Sequence, residues 1–237
     1  MHSLSIKFLN KNDIYQDIVL NSSTTSVIGK NASGKTTFLK KLALPSKDIK
    51  LIFDNTDLNA LSLSKRSLLL SWLPHCEKPS FNFKVMDFIL LGRYPIHKGI
   101  PTLKDYQIAE IYLEHLGVKE LKDRDILSLS KGEYQKINIV RVLICQTSLV
   151  ILDEPFSNLD ISSIATLVNL LKSEAQDKDR MIISSFHDVN IANVFSTDSF
   201  ISLTKGKINF HTSISSSILE SIYDIKLREI EGFYSIF

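Results

Sequence analysis

The chain has 237 residues, enough for one large α/β domain with a substantial core. Lysine and arginine number 28 against 26 acidic residues without a long run of one sign, so nothing indicates an electrostatic grip on nucleic acid or anionic lipid. The two cysteines, Cys76 and Cys145, lie far apart, which argues against a disulfide-stapled secreted fold. The sequence shows neither a signal-peptide pattern nor a bilayer-spanning apolar stretch. We therefore expect a single domain, 1–237, that is soluble or held at a membrane only through partners.

The first part of the chain predicts strands that lead into a loop and a helix. Apolar and alternating segments predict strands at Leu4–Leu9, Ile18–Leu20, Ser26–Ile28 and Lys50–Phe53. The pattern of Thr36–Leu42 predicts a helix, whereas the Leu- and Ser-rich stretch Leu58–Ser71 favours neither state.

The loop itself, Gly29–Thr36, fits the pattern G-x-x-x-x-G-K-[S/T] at every fixed position and lies between a predicted strand and a predicted helix. Its glycines allow successive backbone N–H groups to point at phosphate oxygens, at the positive end of the new helix. Lys35 would reach the β and γ phosphates, and the Thr36 hydroxyl would ligate Mg²⁺. A glycine turn before an ordinary helix is the alternative, but the complete pattern predicts a nucleotide-binding protein.

The composition changes at Pro74, where prolines and glycines indicate turns around one short helix near Val85–Leu91. A capping-box spacing at Thr102 then starts an amphipathic helix that ends before Gly117. We assign Tyr112 of this helix to packing. These features predict a helical subdomain, about 75–145, inserted in the core.

The remaining elements alternate between helix and strand. The pattern predicts a turn at Ser128–Gly132, helices with apolar faces at Ile137–Ile144 and Ile161–Val168, and strands at Leu149–Leu152, Met181–Ser184, Ser199–Leu203 and Lys207–His211, the last two joined by a turn at Lys205–Gly206. Such alternation predicts an α/β sheet with its ligand at the carboxyl ends of the strands. We assign no chemistry to the tail after His187.

Two neighbouring carboxylates follow the apolar strand Leu149–Leu152. In phosphate-loop enzymes an Asp at a strand end holds Mg²⁺, and an adjacent carboxylate orients the attacking water or accepts its proton. Asp153 and Glu154 fit these two roles, although acidic pairs are also common as simple polar strand ends.

With these motifs, the chain resembles the nucleotide-binding subunit of ATP-binding cassette (ABC) transporters. The resemblance covers nearly the whole chain through the phosphate loop and four further blocks in the family's order, which are Leu129–Glu133, Leu149–Pro155, Ser157–Asp160 and His187–Asp188. It implies a P-loop NTPase fold, with a RecA-like core, an antiparallel β region and the inserted helical subdomain. It also implies that two subunits face each other, so that the signature turn of one, Leu129–Glu133, contacts the ATP held by the other.

The resemblance also implies roles for individual residues. ATP and Mg²⁺ are the implied ligands, with Thr36 and Asp153 at the metal, Glu154 polarising water and His187 as the switch histidine. Ser130 and Gly132 would contact the γ-phosphate of the opposite subunit's ATP, Asp160 would couple the two sites, and Phe8 is our choice for the aromatic ring on adenine. The phosphate grip would come from Gly29, Lys30, Asn31, Ala32, Ser33, Gly34, Lys35, Thr36 and Thr37.

Two segments resemble the importers of ferric siderophores, haem and cobalamin. They are Leu91–Pro95, with its Gly-Arg-x-Pro, and His187–Ala192. This resemblance implies a peripheral subunit on the cytoplasmic face of the inner membrane, with permease subunits that dock near His75–Asp125. A second ATPase subunit, expected to be another copy, would complete the complex, and a substrate-binding protein would act indirectly. No nucleic acid partner is implied.

The sequence departs from the family at two positions. Lys131 stands where the signature turn usually has glycine, which a negative φ would tolerate. His75 aligns with the Gln that normally links the Mg²⁺ site to the permease, and imidazole is shorter and titratable. Both changes bear on rate and coupling. They leave open a weakly hydrolysing regulatory cassette, and a soluble ABC-type ATPase of DNA maintenance or translation is a further alternative, although the chain has no heptad stretch or second phosphate loop.

Overall fold

The computed structural model describes residues 2–9, 17–75, 78–196, 198–204, 207–230 and 232–236. The strands in these ranges are β1 (Leu4–Phe8), β2 (Ile18–Leu20), β3 (Thr24–Ile28), β4 (Ile49–Phe53), β5 (Thr56–Asp57), β6 (Leu70–Leu73), β7 (Leu149–Leu152), β8 (Met181–Ser185), β9 (Phe200–Thr204), β10 (Lys207–His211), β11 (Leu227–Ile230) and β12 (Phe233–Ile236). The α-helices are α1 (Lys35–Ala43), α2 (Leu63–Arg66), α3 (Val85–Leu90), α4 (Tyr94–His97), α5 (Leu103–His115), α6 (Lys131–Leu143), α7 (Ile161–Gln176), α8 (Val189–Phe195) and α9 (Ser216–Tyr223).

A six-stranded sheet in the order β10-β9-β3-β8-β7-β6 forms the centre. Its strands run parallel except β10, which pairs antiparallel with β9. The strands β3, β7 and β8 are fully or almost fully buried, as expected of a parallel sheet covered on both faces. Because these three strands are neighbours and parallel, their carboxyl ends meet at one edge, where the phosphate loop begins.

A second, antiparallel sheet in the order β2-β1-β4-β5 covers one face of the first. Helix α1 lies in the same core cluster as both sheets and contributes Phe38, Leu39 and Leu42 to it. This buried contact fixes the direction in which α1 leaves the phosphate loop.

The segment between β6 and β7 carries α3 to α6, and α3, α5 and α6 pack together in a second core cluster. Tyr112 of α5 is 1% exposed within this cluster, so its assignment to packing is confirmed. Its hydroxyl donates a hydrogen bond of 2.9 Å to Glu174 Oε2 of α7, which ties the helical segment to the core.

The structure differs from the sequence-based expectation in three places. The ambiguous stretch Leu58–Ser71 contains α2 and the start of β6, whose apolar residues become a strand through pairing with β7. The turn expected at Ser128–Gly132 ends at Ser130, because Lys131 and Gly132 already lie in α6. The tail contains α8, α9 and a β11-β12 hairpin, none of which the pattern predicted, while the expected turn at Lys205–Gly206 lies outside the described residues.

Candidate nucleotide site

The phosphate loop turns sharply from β3 into α1, and its backbone requires glycine at both ends. Gly29 has φ 154° and Gly34 has φ 100°, both in the left-handed half of conformational space. A Cβ at Gly29 would also collide with the carbonyl oxygen of Leu203 in β9. The close approach of β9 and the two glycine conformations therefore set the shape of the loop.

Lys35 lies inside this loop with only 5% of its surface exposed. Its Nζ donates hydrogen bonds to the carbonyl oxygens of Gly29 at 2.8 Å and Lys30 at 3.2 Å. Burial lowers the pKa of Lys35, against the opposing effect of the Glu154 and Asp153 carboxylates. A phosphate in the loop would supply the negative charge that favours the ammonium form again.

Asp153 follows β7 and is 1% exposed. Its Oδ1 accepts a hydrogen bond of 2.7 Å from the Ser185 hydroxyl, whereas its buried Oδ2 has no partner among the described residues. Buried carboxylate oxygens are normally paired, so this oxygen is placed to receive a ligand.

Ser185 is a site residue that the sequence analysis missed. It is the last residue of β8, and its hydroxyl oxygen also accepts a hydrogen bond of 2.9 Å from the backbone N–H of Glu154. It therefore connects the ends of β7 and β8, holding the Asp153 carboxylate and the Glu154 backbone. In the sequence, the polar pair Ser184–Ser185 at the end of an apolar strand could have indicated a site residue. The sequence did not show which strand lies next to this one, because that depends on the order of strands in the sheet.

Glu154 and His187 meet across the same edge of the sheet. Glu154 Oε1 lies 2.6 Å from His187 Nε2, with 20% of the Glu154 side chain and 48% of the His187 side chain exposed. Glu154 has φ 51°, an uncommon backbone conformation for a residue with a side chain. The two residues border a cavity of about 400 Å³. The other residues that line it are Asn31, Ala32, Gly34, Lys35, Thr36 and Thr37.

Two phosphate-loop side chains face away from this cavity. Lys30 Nζ forms an ion pair of 2.5 Å with Asp224, just after α9. Ser33 has a buried hydroxyl without a partner among the described residues. Both side chains border a neighbouring cavity of about 450 Å³ between the loop and α9.

The signature turn does not line the Lys35 cavity, and together with the helix that follows it packs on the loop after β7. Ser130 caps α6 in a capping box with Glu133, with hydrogen bonds of 3.2 and 2.7 Å in the two directions. A Cβ at Gly132 would lie 2.8 Å from the carbonyl oxygen of Asn158, so this glycine permits close packing on the loop after β7. Gln135 donates to the carbonyl oxygens of Glu154 at 3.2 Å and Pro155 at 3.0 Å.

Lys131 is the exposed first residue of α6 and has no positive φ, so the condition for tolerating lysine in place of glycine holds. Asp160 caps α7, and its Oδ1 accepts hydrogen bonds from Ser163 N at 2.7 Å and the Ser162 hydroxyl at 2.9 Å. These bonds lower the pKa of Asp160, with the Ser163 backbone N–H first.

Phe8 and His75 do not line the Lys35 cavity in the part of the chain that the structure describes. Phe8 ends β1 and packs, half-buried, against the core between the two sheets. His75 is exposed in the loop after β6. Their assigned roles at adenine and near the metal stay predictions.

The subclass segment Leu91–Pro95 has a packing role in this fold. A Cβ at Gly92 would collide with the carbonyl oxygen of Arg141 in α6. Arg93 is buried and pairs with Asp105 at 2.6 Å. The glycine and arginine of this segment therefore join α3, α5 and α6.

A phosphate loop, a buried lysine and a Glu-His pair around one cavity, with an unpaired buried carboxylate oxygen on the neighbouring Asp153, define a P-loop nucleoside triphosphatase site. The family model for ABC transporters matches residues 18–157. An iron chelatin transport ATP-binding protein of Helicobacter pylori is 32% identical over 219 residues, covering 88% of this chain and 85% of the relative. The petrobactin import ATP-binding protein of Bacillus subtilis is 29% identical, covering 86% and 82% of the two chains.

Among solved structures, a metal-chelate type ABC transporter in an inward-facing conformation matches with a TM-score of 0.79 and 22% identity, covering 100% of this chain and 97% of that one. The chain belongs to the ABC transporter family of ATP-binding proteins, and it is an ATPase. Its fold is the expected P-loop NTPase core with an antiparallel β region. Within the described ranges, no helix has the length and apolar character needed to cross a membrane.

Proposed function

We propose that ATP hydrolysis by this protein energises import of an iron-siderophore or a related metal chelate through a membrane permease. The names of the Helicobacter and Bacillus relatives support this cargo class, and so do the segments Leu91–Pro95 and His187–Ala192. In this proposal the protein is a peripheral subunit on the cytoplasmic face of the inner membrane. It acts with permease subunits, a second copy of the ATPase and, indirectly, a substrate-binding protein.

The contact between Glu154 and His187 carries the catalytic part of the proposal. Both side chains border the cavity that contains Lys35, so a γ-phosphate gripped by the loop would lie beside them. Glu154 would orient the attacking water and accept its proton, while His187 Nε2 would hold the carboxylate and the γ-phosphate in place. Lys35 and the loop N–H groups would stabilise the charge on the phosphates.

The residues present fit a Mg²⁺ ion. Mg²⁺ prefers oxygen ligands and is usually held by one or two protein oxygens together with substrate phosphates. The unpaired Asp153 Oδ2 and the Thr36 hydroxyl of the cavity wall are such oxygens, and we assign the ion to them. When bound, Mg²⁺ would neutralise charge on the β and γ phosphates. We place His75 in the loop that would link this region to the permease.

The exposed signature turn supports a two-subunit arrangement. Ser130 and Lys131 are exposed at the positive end of a 13-residue helix and do not border the cavity of their own chain. In the proposed dimer, Ser130 and Gly132 contact the γ-phosphate held by the second subunit, and Asp160 couples the two sites. Phe8 would stack on adenine.

The variant Glu154→Gln tests the catalytic assignment. We expect ATP turnover to fall at least about 100-fold, because an amide cannot accept the proton, while ATP binding is retained. The matched control is Glu120→Gln, which changes an exposed carboxylate outside the site. Equal turnover in Glu154→Gln and wild type would remove Glu154 from the catalytic role.

The transport role is tested by purification of the tagged protein from gently solubilised native membranes, with and without ATP and vanadate. We expect a permease with many membrane spans to co-purify. Loss of the ATPase gene should then abolish uptake of an iron chelate while leaving uptake of unrelated solutes intact. Recovery of only soluble or nucleic-acid-bound partners would contradict the transport role.

A further inference from the structure

The C-terminal segment, residues 214–230 and 232–236, contacts the proposed site although it lies beyond the residues matched by the family model. It contains α9 and the β11-β12 hairpin. Its internal contacts give it a defined shape, since the buried Tyr234 hydroxyl donates to Ile214 O at 3.0 Å and Glu220 Oε1 accepts from Leu227 N at 2.9 Å. The segment is thus a folded unit packed beside the ATPase site.

The first contact is with the helix that follows His187. The Asn190 side chain of α8 bonds the Tyr234 backbone in both directions, donating to the carbonyl oxygen at 3.1 Å and accepting from the N–H at 2.8 Å. Asn193, one turn later, donates to Gly232 O at 3.2 Å. Asn190 is three residues beyond His187, so the hairpin holds the start of α8, the helix that follows the His187 loop.

The second contact is with the phosphate loop. Asp224, just after α9, pairs with Lys30 Nζ at 2.5 Å. The carbonyl oxygen of Lys30 also accepts hydrogen bonds from Lys35 Nζ at 3.2 Å and from Ser33 N at 3.1 Å. The side chain of Lys30 therefore contacts the C-terminal segment. Its backbone carbonyl contacts Lys35, the residue that would bind phosphate.

A third observation concerns Tyr223, the residue that precedes Asp224. Burial raises the pKa of Tyr223, the nearby Gly29 backbone N–H lowers it, and the Asp188 carboxylate raises it further. The ring also borders a cavity of about 390 Å³ whose wall includes His187 and Tyr234. The buried Tyr223 hydroxyl has no hydrogen-bond partner among the described residues, and through this cavity the side chain faces the His187 loop.

From these contacts we infer that residues 214–230 and 232–236 form a positioning element of the ATPase site, acting on His187 through Asn190 and on the phosphate loop through Asp224. This inference rests on the proposed roles of His187 and the phosphate loop. Asn190 and Asp224 are positioning residues, because neither borders the cavity that contains Lys35. Loss of the Asn190 contact should disturb the chemical step, whereas loss of the Asp224 contact should loosen the loop before ATP binds.

Loss of the Asn190 contact and loss of the Asp224 contact should change different kinetic constants. For Asn190→Leu, we expect kcat for ATP to fall about 3- to 10-fold with KM within about twofold, because His187 loses a fixed relation to Glu154. For Asp224→Asn, we expect KM to rise about 2- to 5-fold with kcat within about twofold, the range of a partly exposed ion pair. Asp224→Glu keeps the charge and should restore KM.

Matched controls separate positioning from general stability. Asn59→Leu removes three hydrogen bonds of a part-buried Asn at β4, away from the site. Asp48→Asn removes the Lys41 ion pair of 2.6 Å, whose side chains are 41% and 50% exposed, close to the 44% and 60% of Lys30 and Asp224. Both controls should lower the melting temperature without changing kcat or KM per folded molecule.

The decisive comparison is kinetic and is normalised to the folded fraction from circular dichroism. If Asn190→Leu and Asp224→Asn change only the melting temperature, as their controls do, the inference is overturned. Should Asn190→Leu not fold, Asn190→Asp, which keeps the acceptor for Tyr234 N, must show the kcat loss. Undiminished turnover in Glu154→Gln would instead overturn the proposed catalytic site. The effects of the C-terminal segment on kcat and KM would then still stand.

Discussion

The phosphate loop region and the signature turn both carry motifs of the family, but their polar groups are satisfied in different ways. In the signature turn, Ser130 and Glu133 bond each other. Gln135, two residues further along α6, bonds two carbonyl oxygens of the loop after β7. At the phosphate site, Asp153 Oδ2 is buried without a partner among the described residues. The signature turn is therefore complete without a ligand, whereas the phosphate site is built to be completed by one.

The largest expected effect comes from removing the unpaired carboxylate. Asp153→Asn should reduce ATP turnover by about 100-fold or more, because a neutral amide is a poor Mg²⁺ ligand. The same change removes a buried charge with an unpaired oxygen, so the melting temperature should be unchanged or higher. Steady-state turnover at several Mg²⁺ concentrations and thermal denaturation measure the two effects. A marked loss of stability would contradict the view that this oxygen is unsatisfied without a ligand.

The next effect concerns the helical segment that carries the signature turn. Burial would raise the pKa of Asp105, but hydrogen bonds from Thr102 and Arg93 outweigh it and lower the pKa from 3.8 to about 2. A lowered pKa means that the carboxylate contributes stability above its unfolded value and loses it as the pH falls through the folded value. Relative to Asp105→Asn, wild type should lose about 2 kcal/mol of unfolding free energy between about pH 5 and pH 2.

Denaturant titration of both proteins across this range measures the difference. Asp125→Asn is the control, because Asp125 pairs with Lys84 at an exposed site and should show a smaller change. A difference between wild type and Asp105→Asn that does not vary with pH would exclude Asp105 as a titrating support of this segment.

A smaller effect is expected for the signature turn itself. Ser130→Ala removes the α6 cap, which should cost about 1 kcal/mol of stability. In the assembled transporter, turnover should fall several-fold while ATP binding to the isolated chain stays unchanged, because Ser130 does not border its own cavity. Ser62→Ala, which removes the cap of α2, is the matched control and should leave turnover unchanged. Weakened ATP binding in the isolated Ser130→Ala chain would place Ser130 in its own site.

The smallest effect is expected at His75. Since this side chain is exposed and borders no part of the Lys35 cavity, His75→Gln should preserve or modestly raise transport-coupled turnover, within about twofold. The measurement is ATPase activity of the complex with its permease. A large loss would show that His75 has a role of its own.

Local signals in the sequence were sufficient for the phosphate loop, the Asp153-Glu154 strand end and the Thr102 helix start. At Thr102, Asp105 Oδ2 accepts from the backbone N–H at 2.7 Å and from the hydroxyl at 2.8 Å. Such features depend on residues within eight consecutive positions, so spacing alone predicts them. The roles of the site residues stay predictions until the variants above are measured.

The sequence by itself determined that this chain carries a phosphate loop, a buried strand ending in two carboxylates and a capped helix that starts at Thr102. Only the tertiary structure decided that Ser185 bonds both the Asp153 carboxylate and the Glu154 backbone, that His187 meets Glu154 and that Asp224 reaches Lys30. It also decided that the apolar residues of β6 become a strand and that the β11-β12 hairpin packs against α8. The physical reason is that each of these contacts joins residues more than 30 positions apart or depends on strand order, which no local pattern encodes.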